Sequence, residues 1–115
     1  LTRSSAASDV YKRQVDEILN SIPTEFALGQ NYPNPFNPVT KMDISLPLTG
    51  DVTLVIYNIL GQKVRTLFSG ELNYGYHTMQ WNGLDDQGLR VSSGVYFSEF
   101  RSRDHRKTKK MLLLK

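Results

Sequence analysis

The sequence contains no cysteine, which removes disulfides, thiolate nucleophiles and thiolate metal ligands together. That absence is neutral about compartment. Histidine is nearly as scarce. His77 and His105 stand far apart in the sequence, whereas zinc sites usually take three or four protein ligands. No apolar run approaches the roughly 20 residues of a membrane-spanning helix, so no membrane insertion is expected. The nucleophile elbow G-x-S-x-G, the P-loop and the G-x-G-x-x-G fingerprint are all missing. Ser69, His77 and Asp85 can be written as a triad on paper, but only because serine and aspartate are common. No catalytic residue, no metal and no cofactor is expected, and the chain is read as no enzyme.

Acidic charge is thin toward the end. The net charge is +3 and the pI about 9.3. Arg101, Arg103, Arg106, Lys107, Lys109, Lys110 and Lys115 face only Asp104. A basic end can mark a nucleic-acid binder. Here no stacking aromatics interleave with the charges, so no nucleic-acid partner is expected. No repeat of 20–50 residues is present, which excludes a solenoid.

Proline is where the sequence speaks first. Residues 31–38 read NYPNPFNP, with Pro33, Pro35 and Pro38 inside six positions. Such a run excludes a helix and a central strand. It biases Tyr32, Asn34 and Asn37 toward extended geometry, and Asn37-Pro38 starts a turn. The segment reads as a stiff, bent lead into a β-domain.

Period-2 alternation follows. In residues 41–46, Met42, Ile44 and Leu46 share one face. In residues 51–58, Val52, Leu54 and Ile56 share a face opposite Thr53, Val55 and Tyr57. Gly61 reverses the chain, and residues 63–68 return as the second arm of a hairpin. Residues 70–75 read as a break between two glycines. Residues 76–81 place His77, Met79 and Trp81 on one side, and residues 94–103 place Tyr96 and Phe100 on one side. Residues 26–31 and 107–115 supply the first and last strands. The expected core is Val52, Leu54, Ile56, Met79, Trp81, Tyr96 and Phe100. About seven short strands at 8–12-residue spacing predict an all-β fold, an Ig-like antiparallel β-sandwich, without the Ig Cys–Trp–Cys spacing.

Before residue 26 the signals are weak. Val15, Ile18, Leu19 and Ile22 fall at helical spacing, but the stretch is short and stops at Pro23. Residues 15–25 are expected to be a linker. Residues 1–14 contain SSAASDVYKRQ, which reads either as a translated sequencing-adapter scar or as an unstructured polar leader. The first residue is Leu1 and no signal-peptide pattern follows, so the sequence is expected to be the C-terminal part of a longer protein. Residues 26–115 are the domain.

Two loci need weighing. Asp85-Asp86 sits in a glycine-bounded loop with Asn82, and calcium takes about six to eight oxygen ligands. Turn chemistry is the stronger reading. The run Met111, Leu112, Leu113 and Leu114 is apolar on both faces of a strand. It is either a strand buried on both sides or flattened at a sandwich edge, or one that leaves some of its surface for a partner by strand addition.

The proline segment, IYNILGQKV at residues 56–64, GVYF at residues 94–97 and KKMLLLK at residues 109–115 occur in a fixed order. In that order they resemble the type A C-terminal sorting domain of the type IX secretion system of Bacteroidetes and related bacteria. The resemblance covers residues 22–115. It implies a domain that directs an exported cargo across the outer membrane and is removed by a sortase cutting within residues 15–25. The implied partners are the outer-membrane translocon or shuttle and the sortase, with the domain itself a monomer. The implied location is the cell surface or the medium, reached through the periplasm. By the same resemblance, Lys109, Lys110, Met111, Leu112, Leu113, Leu114 and Lys115 carry recognition, while Pro33, Asn34, Pro35, Gly61, Gly94 and Tyr96 shape the backbone. The other reading is an Ig-like structural or adhesive module of an extracellular protein, a class that shares the W-G-D-G-GvY pattern.

Overall fold

The computed structural model describes residues 10, 12–14 and 22–114. Lys115 and residues 15–21 of the helical spacing lie outside the described residues. Residues 10 and 12–14 are helical and exposed.

Seven strands follow in order: β1 (Ala27–Leu28), β2 (Thr40–Leu46), β3 (Gly50–Asn58), β4 (Lys63–Leu72), β5 (Gly75–Trp81), β6 (Gly94–Ser102) and β7 (His105–Leu113). They form two antiparallel sheets, β1-β2-β5 and β4-β3-β6-β7. The fold is an all-β Ig-like sandwich.

Alternation explains the layers. On β2, Met42, Ile44 and Leu46 are fully buried while Lys41 and Asp43 face water. On β3, Val52, Leu54 and Ile56 are inside. Phe100, Tyr96, Met111 and Leu113 complete the second sheet's inner face. Burying each such side chain contributes about 1.5–3 kcal/mol. Of the seven expected core residues, six are buried. Met79 is only partly buried and packs against the core from β5, an edge strand.

The expected break at residues 70–75 is much shorter. β4 runs on through Gly70, which pairs with Val52, and the chain turns only at Asn73 and Tyr74. β4 also carries two extra residues, Leu67 and Val64, where its register against β3 jumps. Both are half-buried and pack against the core. Such bulges twist an edge strand and discourage pairing beyond it.

Trp81 has no solvent exposure and anchors an aromatic cluster. Its ring centroid lies 5.3 Å from Tyr96 in an edge-on arrangement and 5.6 Å from Phe36. Its indole N–H donates to the Leu84 carbonyl at 2.9 Å. The Tyr96 hydroxyl donates to the Ser92 carbonyl, four residues upstream, at 2.6 Å. This is the tyrosine corner of Ig-type sandwiches. Buried Ser98, two residues on, stands where an antibody domain would place its second disulfide cysteine.

Trp81→Ala is expected to cost about 3–5 kcal/mol, as truncation of a large buried aromatic does. Thermal or denaturant unfolding checks this. A near-neutral effect would contradict the core described above.

Candidate functional site

The strand directions sort the connections into two poles. The turns at residues 47–49, 73–74 and 103–104 lie at one pole, where Phe26 leads into β1. The longer connections, residues 29–39, 59–62 and 82–93, lie at the other, where β7 ends. Every short motif singled out in the sequence therefore meets at the pole where the chain finishes.

The proline segment does specific work there. Phe36 is buried and forms a parallel bridge with Leu113. Its N–H donates to the Leu112 carbonyl at 3.0 Å, and the Leu114 N–H donates to its carbonyl at 2.9 Å. The Asn34 Oδ1 accepts from the Leu112 N–H at 3.0 Å. Farther along the same edge, the Gln30 Nε2 donates to the Lys110 carbonyl at 2.8 Å. The segment is held in turn by buried Asn31 and Thr40. Asn31 Nδ2 donates to Thr40 Oγ1 at 3.0 Å and to the Pro33 carbonyl at 3.2 Å, and Thr40 Oγ1 donates to the same carbonyl at 2.9 Å. The Tyr32 hydroxyl donates to Asp43 Oδ1 at 3.2 Å. Partial desolvation, with that carboxylate, raises the Tyr32 pKa above the ordinary tyrosine value.

The hairpin tip is equally fixed. Asn58 Oδ1 accepts from the N–H groups of Leu60 and Gln62, each at 3.0 Å, and Asn58 Nδ2 donates to Gln62 Oε1 at 2.9 Å. Gly61 has φ +80°, which strains any residue with a Cβ. Ile59 and Leu60 at this tip project into solvent, 71% and 78% exposed. Beside them, Lys63, Asp85, Asp86, Gln87 and Val91 help line an open cleft of about 620 Å³.

The acidic pair is committed to this architecture. Asp85 Oδ1 accepts from the N–H groups of Gln87 and Leu89 at 2.9 Å. Asp86 Oδ1 accepts from the Thr66 N–H at 2.9 Å and ties the loop to β4. Among the described residues no group of three or more His, Asp or Glu could hold a metal ion. His77 bonds the Asn73 carbonyl at 2.7 Å, and His105 stacks on Phe26 with centroids 4.0 Å apart. The structure therefore does not assemble His77 and Asp85 into a triad with Ser69.

The terminal residues divide by face. Met111 and Leu113 are core residues, each 1% exposed, while Leu112 is half-buried and Leu114 exposed. Lys109 and Lys110 are exposed. The expectation of a terminal edge open for strand addition needs correction for residues 112–114. There the chain's own proline segment already takes both backbone groups of Leu112 and the N–H of Leu114. Pro33 and Pro35 sit in that segment, and Gly94 begins β6 opposite Leu113. Sequence reasoning missed Gln30, Asn31, Thr40, Asn58 and Gln62. Only the Asn31-to-Pro33 and Asn58-to-Gln62 spacings carried a local signal, that of side chains bonding nearby backbone.

Asn34→Ala is expected to destabilise the domain by about 1 kcal/mol, the usual worth of a hydrogen bond, by removing the acceptor for the Leu112 N–H. Asn34→Asp, which keeps an acceptor oxygen, is expected to cost less. Gly61→Val is expected to destabilise through its positive φ, since the added Cβ itself meets nothing within 4 Å. Denaturant midpoints measure all three.

Comparison with known proteins places this geometry. The family model of the FlgD Ig-like domain matches residues 36–101. No curated protein matches the chain. Among solved structures, dimeric latent PorU from Porphyromonas gingivalis aligns at 18% identity and a TM-score of 0.59, over 80% of this chain and 10% of that one. FlgD from P. aeruginosa aligns at 24% identity and a TM-score of 0.51, over 64% of this chain and 57% of that one. PorZ, an essential surface component of the type IX secretion system of P. gingivalis, aligns at 23% identity and a TM-score of 0.48, over 78% of this chain and 11% of that one. The chain thus spans about a tenth of PorU and of PorZ and little more than half of that FlgD. With the family model matching more than half of its length, the chain belongs to the FlgD Ig-like domain family.

Proposed function

We propose that the domain is a C-terminal sorting address for the type IX secretion system and supplies no catalytic group. The observation that carries this reading is the stitching of Phe36 to Leu112 and Leu114. The two ends of the sorting-domain resemblance, the proline segment and the terminal lysine-aliphatic run, are one structural unit. The hairpin tip of the IYNILGQ motif and the GVY strand start lie at the same pole. A cargo attached before residue 26 joins at the opposite pole, so it leaves the motif pole unobstructed. In this reading the translocon or shuttle recognises the motif pole with Lys109 and Lys110, and the sortase cuts within residues 15–25. The cargo then reaches the surface or the medium from the periplasm.

The FlgD Ig-like match favours a second reading, a structural module of an extracellular protein. A reporter joined upstream of the 115-residue chain separates the two in a bacterium that carries the secretion system. A sorting address moves the reporter to the surface and a structural module does not. Deleting the tail is a poor control, because it also removes the core side chains of Met111 and Leu113. Lys109→Glu with Lys110→Glu is cleaner, since exposed charges contribute little to stability. The double variant is expected to leave the melting curve unchanged and to retain the reporter in the periplasm. Undiminished surface display would remove these lysines from the address.

A further inference from the structure

We infer that the first half of β7 is a docking edge for an extended acidic peptide, which adds to the four-stranded sheet as a fifth strand beside Arg106, Thr108 and Lys110. The inference gives a partner chemistry to the domain and stands on geometry that does not require the sorting role.

Two of the sandwich's other three edges are blunted: β1 is two residues long, and β4 is interrupted by two bulges. The third, β5, is seven residues in unbroken register but carries no lysine or arginine. β7 is both long and basic: it has nine residues and keeps one unbroken register against β6, from Leu113 opposite Gly94 to His105 opposite Ser102. Leu112 turns both its backbone groups away from β6, toward Asn34 and Phe36. An antiparallel ladder alternates, so Lys110, Thr108 and Arg106 turn theirs the same way. Gln30 takes the Lys110 carbonyl. Among the described residues nothing pairs with the Lys110 N–H or with the outward groups of Thr108 and Arg106. The chain seals the apolar end of this edge with its own proline segment. At the basic end Phe26 stacks on His105, while the outward backbone groups of Arg106 and Thr108 stay unpaired among the described residues.

Charge then selects the occupant. Residues 105–110 are exposed at every position. Lys107 and Lys109 fall on the face that carries Met111 and Leu113 into the core, yet both are exposed. Lys110 and Arg106 lie on the opposite face. The acids nearby are few. Glu99 pairs with Arg101 at 3.1 Å and reaches Arg106 at 3.9 Å. Asp104 is in the turn, and Glu25 shares a cleft with Lys107 and His105. A second copy of β7 would set like charges directly opposite one another, which is unfavourable. A strand with carboxylates at alternate positions would place them against Lys107 and Lys109 while its backbone completes the ladder. Lysines on an edge ordinarily repel unwanted strands. On this edge they discriminate, admitting the strand of opposite sign.

The probe is a seven-residue peptide alternating glutamate and valine, titrated against the complete chain at low salt. Fluorescence anisotropy reads binding, and amide hydrogen exchange followed by NMR reads pairing. Binding is expected to be at least tenfold weaker when lysine replaces glutamate in the peptide. A comparable loss is expected when the peptide backbone is N-methylated at alternate residues, and for Lys107→Glu with Lys109→Glu in the chain. Exchange at the N–H groups of Thr108 and Lys110 is expected to slow at least tenfold on binding. The N–H groups of Lys107 and Lys109, already bonded to β6, should not change. No binding would overturn the inference. So would binding that survives N-methylation or protects no alternate amides, because that is charge attraction without strand addition. Export of the reporter is a separate readout, so the docking edge can fail while the sorting reading stands, and the reverse.

Discussion

Backbone pairing between Phe36 and the end of β7 is the constraint on which the rest of this sandwich rests. A strand at the edge of a sheet is held by one ladder only, so the outward backbone groups of its last residues need other partners. β7 nevertheless supplies Met111 and Leu113 to the core. It can do so because the proline segment crosses to it and takes both outward groups of Leu112 and the N–H of Leu114. The same segment delivers Phe36 to Trp81, and Trp81 in turn meets Tyr96 on the facing sheet. One short irregular stretch thus joins both sheets and ties the start of the domain to its finish. Asn31 and Thr40 are buried polar residues for this reason: they satisfy the backbone of a loop that cannot form a regular ladder.

Local pattern made much of this legible. Met42, Ile44 and Leu46, and Val52, Leu54 and Ile56, alternate strictly, and period 2 leaves one choice of inner face. Gly61 marked the hairpin because such turns need positive φ. Pairings between distant segments were not legible. Nothing near Asn34 or Phe36 announces Leu112 or Leu114, more than seventy positions away. That gap is why the terminal apolar run looked open on one side. Gly70 was misleading for a different reason: it keeps its place in the ladder opposite Val52, and the turn waits for Asn73. Alternation alone puts Met79 on the core face, but it does not report that β5 lies at an edge.

The proposed address follows from how the two poles differ. Where the chain comes in, the turns are short and carry little that is distinctive. Where it ends, a fixed hairpin tip exposes Ile59 and Leu60, a loop is pinned by Asp85 and Asp86, and the proline segment closes on β7. These features are rigid for identifiable reasons, chiefly side chains that bond backbone: Asn58, Asp85, Asp86 and Asn34. A recognition surface benefits from such preorganisation, because less conformational freedom is lost on binding. The basic half of β7 adds a second, chemically different surface along the sandwich's flank.

The latch itself is the claim to test first. Native-state amide hydrogen exchange at Leu112 and Leu114 measures it directly. Both N–H groups point away from β6 and depend on Asn34 and Phe36 for their partners. The account predicts that they exchange as slowly as amides in the middle of the β6–β7 ladder. Exchange at the rate of a frayed terminus would contradict it.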